Sequence, residues 1–493
     1  MRRLLLPAVL VVALVGCTTV AALREADRRS TPAPVEEAVT VTPVLSARRT
    51  PELVAGPVAN SRLASRLEDL ATQAGGAICL VVDAGSRNLI SHRADAGMIP
   101  ASNQKLLTAA AAIEVLGPDT TFTTRAMAAG APAGGVIEGD LFLVGGGDPV
   151  LATEPYAALS SEQQTAHTSF ESLADAIVGA GVRSVTGGVI GVETRFDATR
   201  YNGGWPERFI TQNQTGPLSA LSVDDGFAEY PTPEQVGDPP PVFSNSWSGL
   251  AVPSPDPART AANRLIGLLE LRGVDVAGGP GTGAAPEGVV DVASIESAPV
   301  SELVAQMLTF SDDQTAELLL KSVGVRAGTG ASTAGGSEAM VTALEAQGVN
   351  LAGSEVVDAS GLAGGNRVTC ELVAGILRVN PLDSPLAQGL AVAGEPGTLQ
   401  DAFLGSGLEG RLRGKTGSLN EVRALSGFVE VAEGDDLTFS FIVNGNPVTE
   451  QQALLREFLG VALATYPERP PVDELDPEPL PEEGQEEEPA GRR

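Results

Sequence analysis

The stretch Pro100-Ala101-Ser102-Asn103-Gln104-Lys105, with the run Leu106 to Leu116 behind it, constrains this chain more than any other feature. The run is rich in Ala and Leu, both strong helix formers, and stops at Gly117-Pro118, so it predicts a helix. Ser102 and Lys105 are three residues apart and therefore share one helical face, about one turn apart. A serine hydroxyl is a weak nucleophile until a base takes its proton, and a lysine whose charge is disfavoured by desolvation or a second cation can do so. Backbone N–H groups at the start of the helix could stabilise an oxyanion beside Ser102. Alone, S-x-x-K is equally the pattern of a helix cap followed by a surface lysine.

The rest of the composition narrows the function by exclusion. A formal net charge of −30 argues against nucleic acid or anionic lipid as a partner. Aromatic residues make up 4% of the chain, too few for a stacking surface for sugars or bases. The three cysteines, Cys17, Cys79 and Cys370, fit no zinc spacing, and His92 and His167 stand in no ligand cluster, so neither a metal nor a cofactor is expected.

At the N-terminus, Met1-Arg2-Arg3 followed by the apolar run Leu4 to Gly16 reads as an export signal. Leu14-Val15-Gly16-Cys17 resembles a bacterial lipobox, with Cys17 as the lipidated residue. The apolar run continues to Leu23, about the twenty residues an uncleaved membrane anchor needs, so residues 1–23 are a signal with lipobox or an anchor. Lipoprotein, anchor and simple secretion all place the body outside the cytoplasmic membrane, tethered to it or secreted into the wall. There Cys79 and Cys370 are open to a disulfide, or to burial as two small side chains. Residues 24–58 show no periodicity and read as a flexible tether, and the Pro- and Glu-rich residues 467–493 as a disordered acidic tail.

Between these ends the pattern predicts an α+β protein. Ser61 to Gln73 is helical, and Ala77–Asp83 and Asn88–His92 form a strand pair. Three further strands are expected at Gly410–Thr416, Arg423–Val431 and Leu437–Asn444, joined at Gly417–Asn420 and Glu433–Asp436. Together these make a five-stranded antiparallel sheet. A last helix, capped by Thr449, would cover one face with the first; the serine helix and the middle helices would cover the other. Residues 120–290 carry short strand candidates between Gly, Pro and Asp, and read as a long β-rich insertion; 59–119 and 291–466 form the main domain. Within the insertion, Gly145-Gly146-Gly147-Asp148-Pro149 is a glycine turn with no G-K-[ST] behind it to cradle phosphate.

Two further motifs change the weight of Ser102-x-x-Lys105. Ser311-Asp312-Asp313-Gln314 lies at a helix junction, where S-x-x-Q is also a capping box. Lys415-Thr416-Gly417 closes the first of the three late strands: a fixed positive charge, a hydroxyl, and a glycine that lets a substrate backbone approach the edge. The order, with these secondary structures, is the set found in penicillin-recognising enzymes.

On these motifs, and on Leu143–Pro149, Asp358-Ala359-Ser360-Gly361-Leu362 and Gly414–Leu419, the chain resembles the low-molecular-mass class C penicillin-binding proteins, the D-alanyl-D-alanine carboxypeptidases/endopeptidases, over roughly residues 60 to 465. The resemblance implies a β-lactamase/transpeptidase-like catalytic fold. It implies Ser102 as the acylated nucleophile, Lys105 as general base and Ser311 as proton relay. Lys415 and Thr416 would hold the substrate's terminal carboxylate beside Gly417, and the N–H groups of Ser102 and Ser418 would form the oxyanion hole. It implies peptidoglycan stem peptides as substrates and β-lactams as inhibitors. One departure stands out: the family's Ser-x-Asn reads Ser311-Asp312-Asp313 here. An ionised Asp313 cannot donate to a substrate carbonyl, and close to Lys105 it would hold the lysine protonated, lowering activity or displacing its pH optimum. Two alternatives follow: a catalytically weakened wall-binding homologue, and a β-lactamase or esterase on the same fold, which the long insertion disfavours.

Overall fold

The computed structural model describes residues 51–73, 77–159, 166–236, 248–432, 434–445 and 450–467. The signal or anchor with Cys17, residues 24–50 of the expected tether, Thr449 and residues 468–493 lie outside them. Residues 51–58 do not form a tether. They open helix α1 (Pro51–Gln73), which runs through Pro57 because Ala59, Leu63, Leu67 and Leu70 form a buried stripe that holds it to the sheet.

After α1 come the hairpin strands β1 (Ala77–Ala84) and β2 (Arg87–His92), then the serine helix α2 (Gln104–Leu116). The chain then leaves to build a second sheet from β3 (Thr123–Ala128), β4 (Leu141–Val144), β5 (Val189–Val192), β6 (Pro280–Thr282) and β7 (Val290–Glu296), in the order β6-β5-β4-β3-β7. Helices α3 (Phe170–Gly179) and α4 (Pro257–Leu271) share its core, and the Asp256 carboxylate caps α4 on Arg259 N. The insertion is thus mixed α/β, with β5 parallel to both β4 and β6. The boundary expected at 290/291 cuts β7, which pairs with β3 from Val290 to Glu296.

The chain returns through α5 (Val300–Phe310), α6 (Asp313–Ala327), α7 (Thr333–Ala346) and α8 (Cys370–Val379). It then finishes the first sheet with β8 (Ala391–Val392), β9 (Leu412–Leu419), β10 (Val422–Val429) and β11 (Leu437–Asn444), before α9 (Glu450–Ala464). That sheet has six antiparallel strands, β8-β9-β10-β11-β1-β2, rather than five. The extra strand is two residues long, too short to carry a period of two in the sequence.

Alternation explains the layers. In β1, Ile78, Leu80 and Val82 enter one core with α1 and α9, whereas Cys79 and Val81 enter the other with α2, α5, α6 and α8. Both faces are covered, so these strands read as apolar runs. Cys79 and Cys370 form a disulfide, which ties β1 to the first residue of α8.

The glycine turn at 145–147 is a packing device. A Cβ on Gly145 would lie 2.2 Å from the Ala220 carbonyl oxygen and one on Gly146 would lie 2.2 Å from that of Thr123. Gly147 N donates to Ala220 O at 2.9 Å, which draws the 218–226 loop onto the second sheet.

Candidate active site

Ser102 sits in a single 3-10 turn, Ala101–Asn103, at the mouth of α2. The turn is held from several directions. Asn444 of β11 clamps the Ile99 backbone, accepting from its N–H at 2.8 Å and donating to its carbonyl at 3.0 Å. Asn103, fully buried, donates to Ser426 Oγ at 2.8 Å, and Ser426 donates to Ser440 Oγ at 3.1 Å, so a polar thread runs into the sheet. Ala101 takes a left-handed φ of 49°, a strained value for a residue with a Cβ.

Two glycines allow this turn to be enclosed. A Cβ on Gly417 would lie 2.8 Å from Pro100 O, so β9 packs directly on the serine turn. The glycine of K-T-G therefore serves the approach of β9 to the protein's own backbone. Gly361 has φ 90° and a Cβ there would lie 1.9 Å from Ala101 O, so the Asp358–Gly361 turn closes the other approach.

Lys105 is fully buried, and its Nζ meets three acceptors: Ser102 Oγ at 3.1 Å, Asp313 Oδ1 at 2.5 Å and Ser360 O at 2.8 Å. These account for all three hydrogens of an ammonium. As a neutral amine, Lys105 would donate to Asp313 and Ser360 and accept from the Ser102 hydroxyl. Burial pushes the Asp313 carboxyl above its ordinary range, and the adjacent Lys105 pulls it back.

Ser311 is not the cap of α6. It closes α5 in a left-handed conformation, φ 63°, and Asp312 caps α6 by accepting from Thr315 N at 2.9 Å. The cap falls one residue later than the S-x-x-Q pattern suggests because a carboxylate suits the positive helix end better than a hydroxyl does. Ser311 thus occupies the half-buried bend that delivers Asp313 to Lys105.

Lys415-Thr416-Gly417 is inside β9 rather than at its end. Gly417, Ser418 and Leu419 still pair with Ala424, Arg423 and Val422, and the turn is the two residues Asn420-Glu421. Lys415 does not face open solvent. It is fully buried, donates to Thr416 O at 3.0 Å, and burial, reinforced by Lys105, pushes its amine well below the ordinary range. Thr416 is half-buried and Ser418 exposed. The neighbouring strand β8 pairs only with Arg413 and Gly414, so it does not pair with Lys415 to Leu419.

Sequence reasoning missed Asn103, Ser426, Ser440, Asn444 and Glu317. Burial marks out Asn103, Ser426, Ser440 and Glu317, and the clamp on Ile99 marks out Asn444; none of these shows in the local sequence.

The structure thus brings Ser102, Lys105 and Asp313 together, with the K-T-G strand packed on the serine turn. The family model for D-Ala-D-Ala carboxypeptidase 3 (S13) matches residues 59–246 and 244–462. The chain belongs to this family. It is therefore a serine-type D-Ala-D-Ala carboxypeptidase, a hydrolase on an α+β fold. The D-alanyl-D-alanine carboxypeptidase of Actinomadura sp. is 32% identical over 464 residues, covering 81% of this chain and 83% of the relative. A carboxypeptidase of Mycobacterium tuberculosis is 30% identical, covering 82% and 83%. Among solved structures, penicillin binding protein 4 of Haemophilus influenzae aligns with a TM-score of 0.65 at 21% identity, over 80% of this chain and 98% of that one. It has also been solved with a β-lactam bound, with a TM-score of 0.61 to this chain.

Proposed function

We propose that Ser102 is the acylated nucleophile of a D-Ala-D-Ala peptidase acting on peptidoglycan stem peptides. The observation that carries the reading is the enclosed Lys105 amine, 3.1 Å from Ser102 Oγ. Lys105 takes the hydroxyl proton as Oγ bonds to the carbonyl carbon of the penultimate D-Ala. The backbone N–H groups of Ser102 and Ser418 hold the developing oxyanion. Ser311 returns the proton to the departing amine of the terminal D-Ala as the C–N bond breaks. Water then attacks the ester, regenerating Ser102 and releasing the shortened peptide. Lys415 and Thr416 meet the terminal carboxylate, and the edge of β9 left unpaired by β8 offers main-chain hydrogen bonds to an extended peptide. β-Lactams acylate the same oxygen and are not readily released.

The site works outside the cytoplasmic membrane, with the N-terminal segment as lipid-modified tether or anchor; among the described residues no helix is long and apolar enough to cross a membrane. Incubating the purified full chain with muropeptides, beside Ser102→Ala, tests the activity by mass spectrometry. Loss of a terminal alanine in the wild type alone is expected, and identical traces refute it. A second reading rests on the 2.5 Å contact of Asp313 with Lys105: a weakened enzyme that binds wall peptide and turns over slowly. Labelling by penicillin without release of alanine favours it.

A further inference from the structure

Beneath Lys105 lies a second set of charged groups that the acyl-transfer chemistry leaves unused. Asp358 is fully buried, and its carboxylate accepts from Gly361 N at 2.9 Å, Ala363 N at 2.6 Å, Asn366 Nδ2 at 2.6 Å and Trp205 Nε1 at 2.9 Å. Glu317 on α6 is equally buried. Its Oε1 accepts from Ala359 N at 3.0 Å and Ser360 N at 2.9 Å, while Oε2 is enclosed with no hydrogen-bond partner among the described residues. Both carboxyls grip the same turn, and that turn's Ser360 carbonyl accepts from Lys105 Nζ at 2.8 Å. The peptide joining Ser360 to Gly361 therefore has Asp358 on its N–H and Lys105 on its C=O. Negative charge on the N–H side polarises the peptide and strengthens its carbonyl as an acceptor.

We propose that Asp358 and Glu317 are positioning residues for Lys105: they fix the Ser360 carbonyl that aims the amine at Ser102, and they do so as a pair bearing one negative charge, with Glu317 protonated. The inference rests on Lys105 being the base for Ser102. Two charges in one enclosed site would repel strongly. Asp358 accepts five hydrogen bonds, the fifth from Ser360 Oγ at 3.5 Å, whereas one Glu317 oxygen accepts none among the described residues. Burial first, and Asp358 second, push the Glu317 carboxyl up to about 8, against the Ser360 hydroxyl and the two turn N–H groups, which favour its ionised form. The other charged groups near Glu317 are Lys105 on α2, reached through Ser360, and, on α6 itself, Asp313 one turn before it and Lys321 one turn after it. Those two are already paired, with Lys105 and Asp197 respectively. Trp205 comes from the insertion, so the same pair makes the insertion part of the catalytic lysine's support.

The test is the acylation rate of the full chain by a fluorescent penicillin, from about pH 6 to about pH 10, for wild type, Glu317→Gln and Glu317→Ala. A glutamine keeps Oε1 as acceptor for both N–H groups, so at pH 7 Glu317→Gln stays within about twofold of wild type. Alanine removes that acceptor, and the acylation step falls about 10- to 100-fold while the non-covalent affinity for penicillin stays within about threefold. The alkaline decline of wild type, which includes ionisation of Glu317, moves up by about one pH unit in Glu317→Gln. An alanine variant that acylates like wild type, or superimposable wild-type and Glu317→Gln profiles, overturns the proposal. If Glu317→Ala does not fold, as a melting curve would reveal, the Glu317→Gln profile decides alone. Wild type that no penicillin labels at any pH overturns the reading of the site and this inference with it.

Discussion

Asp313 is the residue whose chemistry most distinguishes this site. At 2.5 Å from Nζ, an ionised carboxylate stabilises the ammonium form of Lys105, and an ammonium cannot accept the Ser102 proton. Burial opposes that ionisation and raises the carboxyl, against the pull of Lys105. In Asp313→Asn the amide removes the counter-charge and can donate to a substrate carbonyl. Acylation by fluorescent penicillin is expected to rise about tenfold near pH 7, with its acid limb moved to lower pH. Equal rates from about pH 5 to about pH 9 would remove Asp313 from the account. Ser102→Ala is expected to show no covalent penicillin adduct by intact mass while keeping its melting temperature, since the Ser102 hydroxyl accepts one hydrogen bond from Lys105, a group with two other acceptors. Lys105 with Ser102, and the suspect Asp313, were legible from letters because S-x-x-K and S-x-N carry fixed spacing. The buried state of Lys415 was not, because its surroundings come from two other segments.

At the scale of elements, glycines decide how closely the pieces approach. Gly361→Ala would force a Cβ to 1.9 Å from Ala101 O at φ 90°. A loss of several kcal/mol, on the order of 4, is expected, read as a lower denaturant midpoint. Gly417→Ala meets Pro100 O at 2.8 Å, so it is expected to fold but to acylate about 100-fold more slowly. The same feature explains what the sequence hid. The first turn of helix α7 carries Gly335 and Gly336, which look like loop, yet a Cβ on Gly336 would strike Leu320 O at 2.2 Å. The glycines are there for a close α6–α7 crossing. Long strands such as β11 were readable to the residue because both faces are buried; β8 exists only as a partner for β9. The Cys79–Cys370 disulfide closes a separation of 291 residues, and chain-entropy arguments assign such a link about 6 kcal/mol. Reductant is expected to lower the melting temperature of wild type and to leave a Cys79→Ser/Cys370→Ser variant unmoved.

Over the whole molecule, the insertion is bound to the catalytic part by an apolar joint and polar pins. Phe196, Trp205, Leu218 and Ala220 pack on Leu318, Leu362 and Ala363. Asn202 Nδ2 donates to Val357 O at 2.8 Å, Gln314 Nε2 to Ser222 Oγ at 3.2 Å, and Lys321 pairs with Asp197. Leu318→Ala opens a cavity in this joint at about 2 to 4 kcal/mol, and faster limited proteolysis within residues 120–296 is the expected signature. The existence of the insertion was readable from a change in strand length and turn density, and its docking was not, since no local pattern reports which loop meets which helix. The Asn444 clamp on Ile99 spans 345 positions of sequence. At roughly 5 to 20 residues per second, a ribosome emits the two halves of that clamp roughly 20 to 70 s apart. The Ser102 loop is thus made early and locked late, by the last strand of the described residues. A product truncated before β11 lacks the side chain that clamps the Ser102 loop.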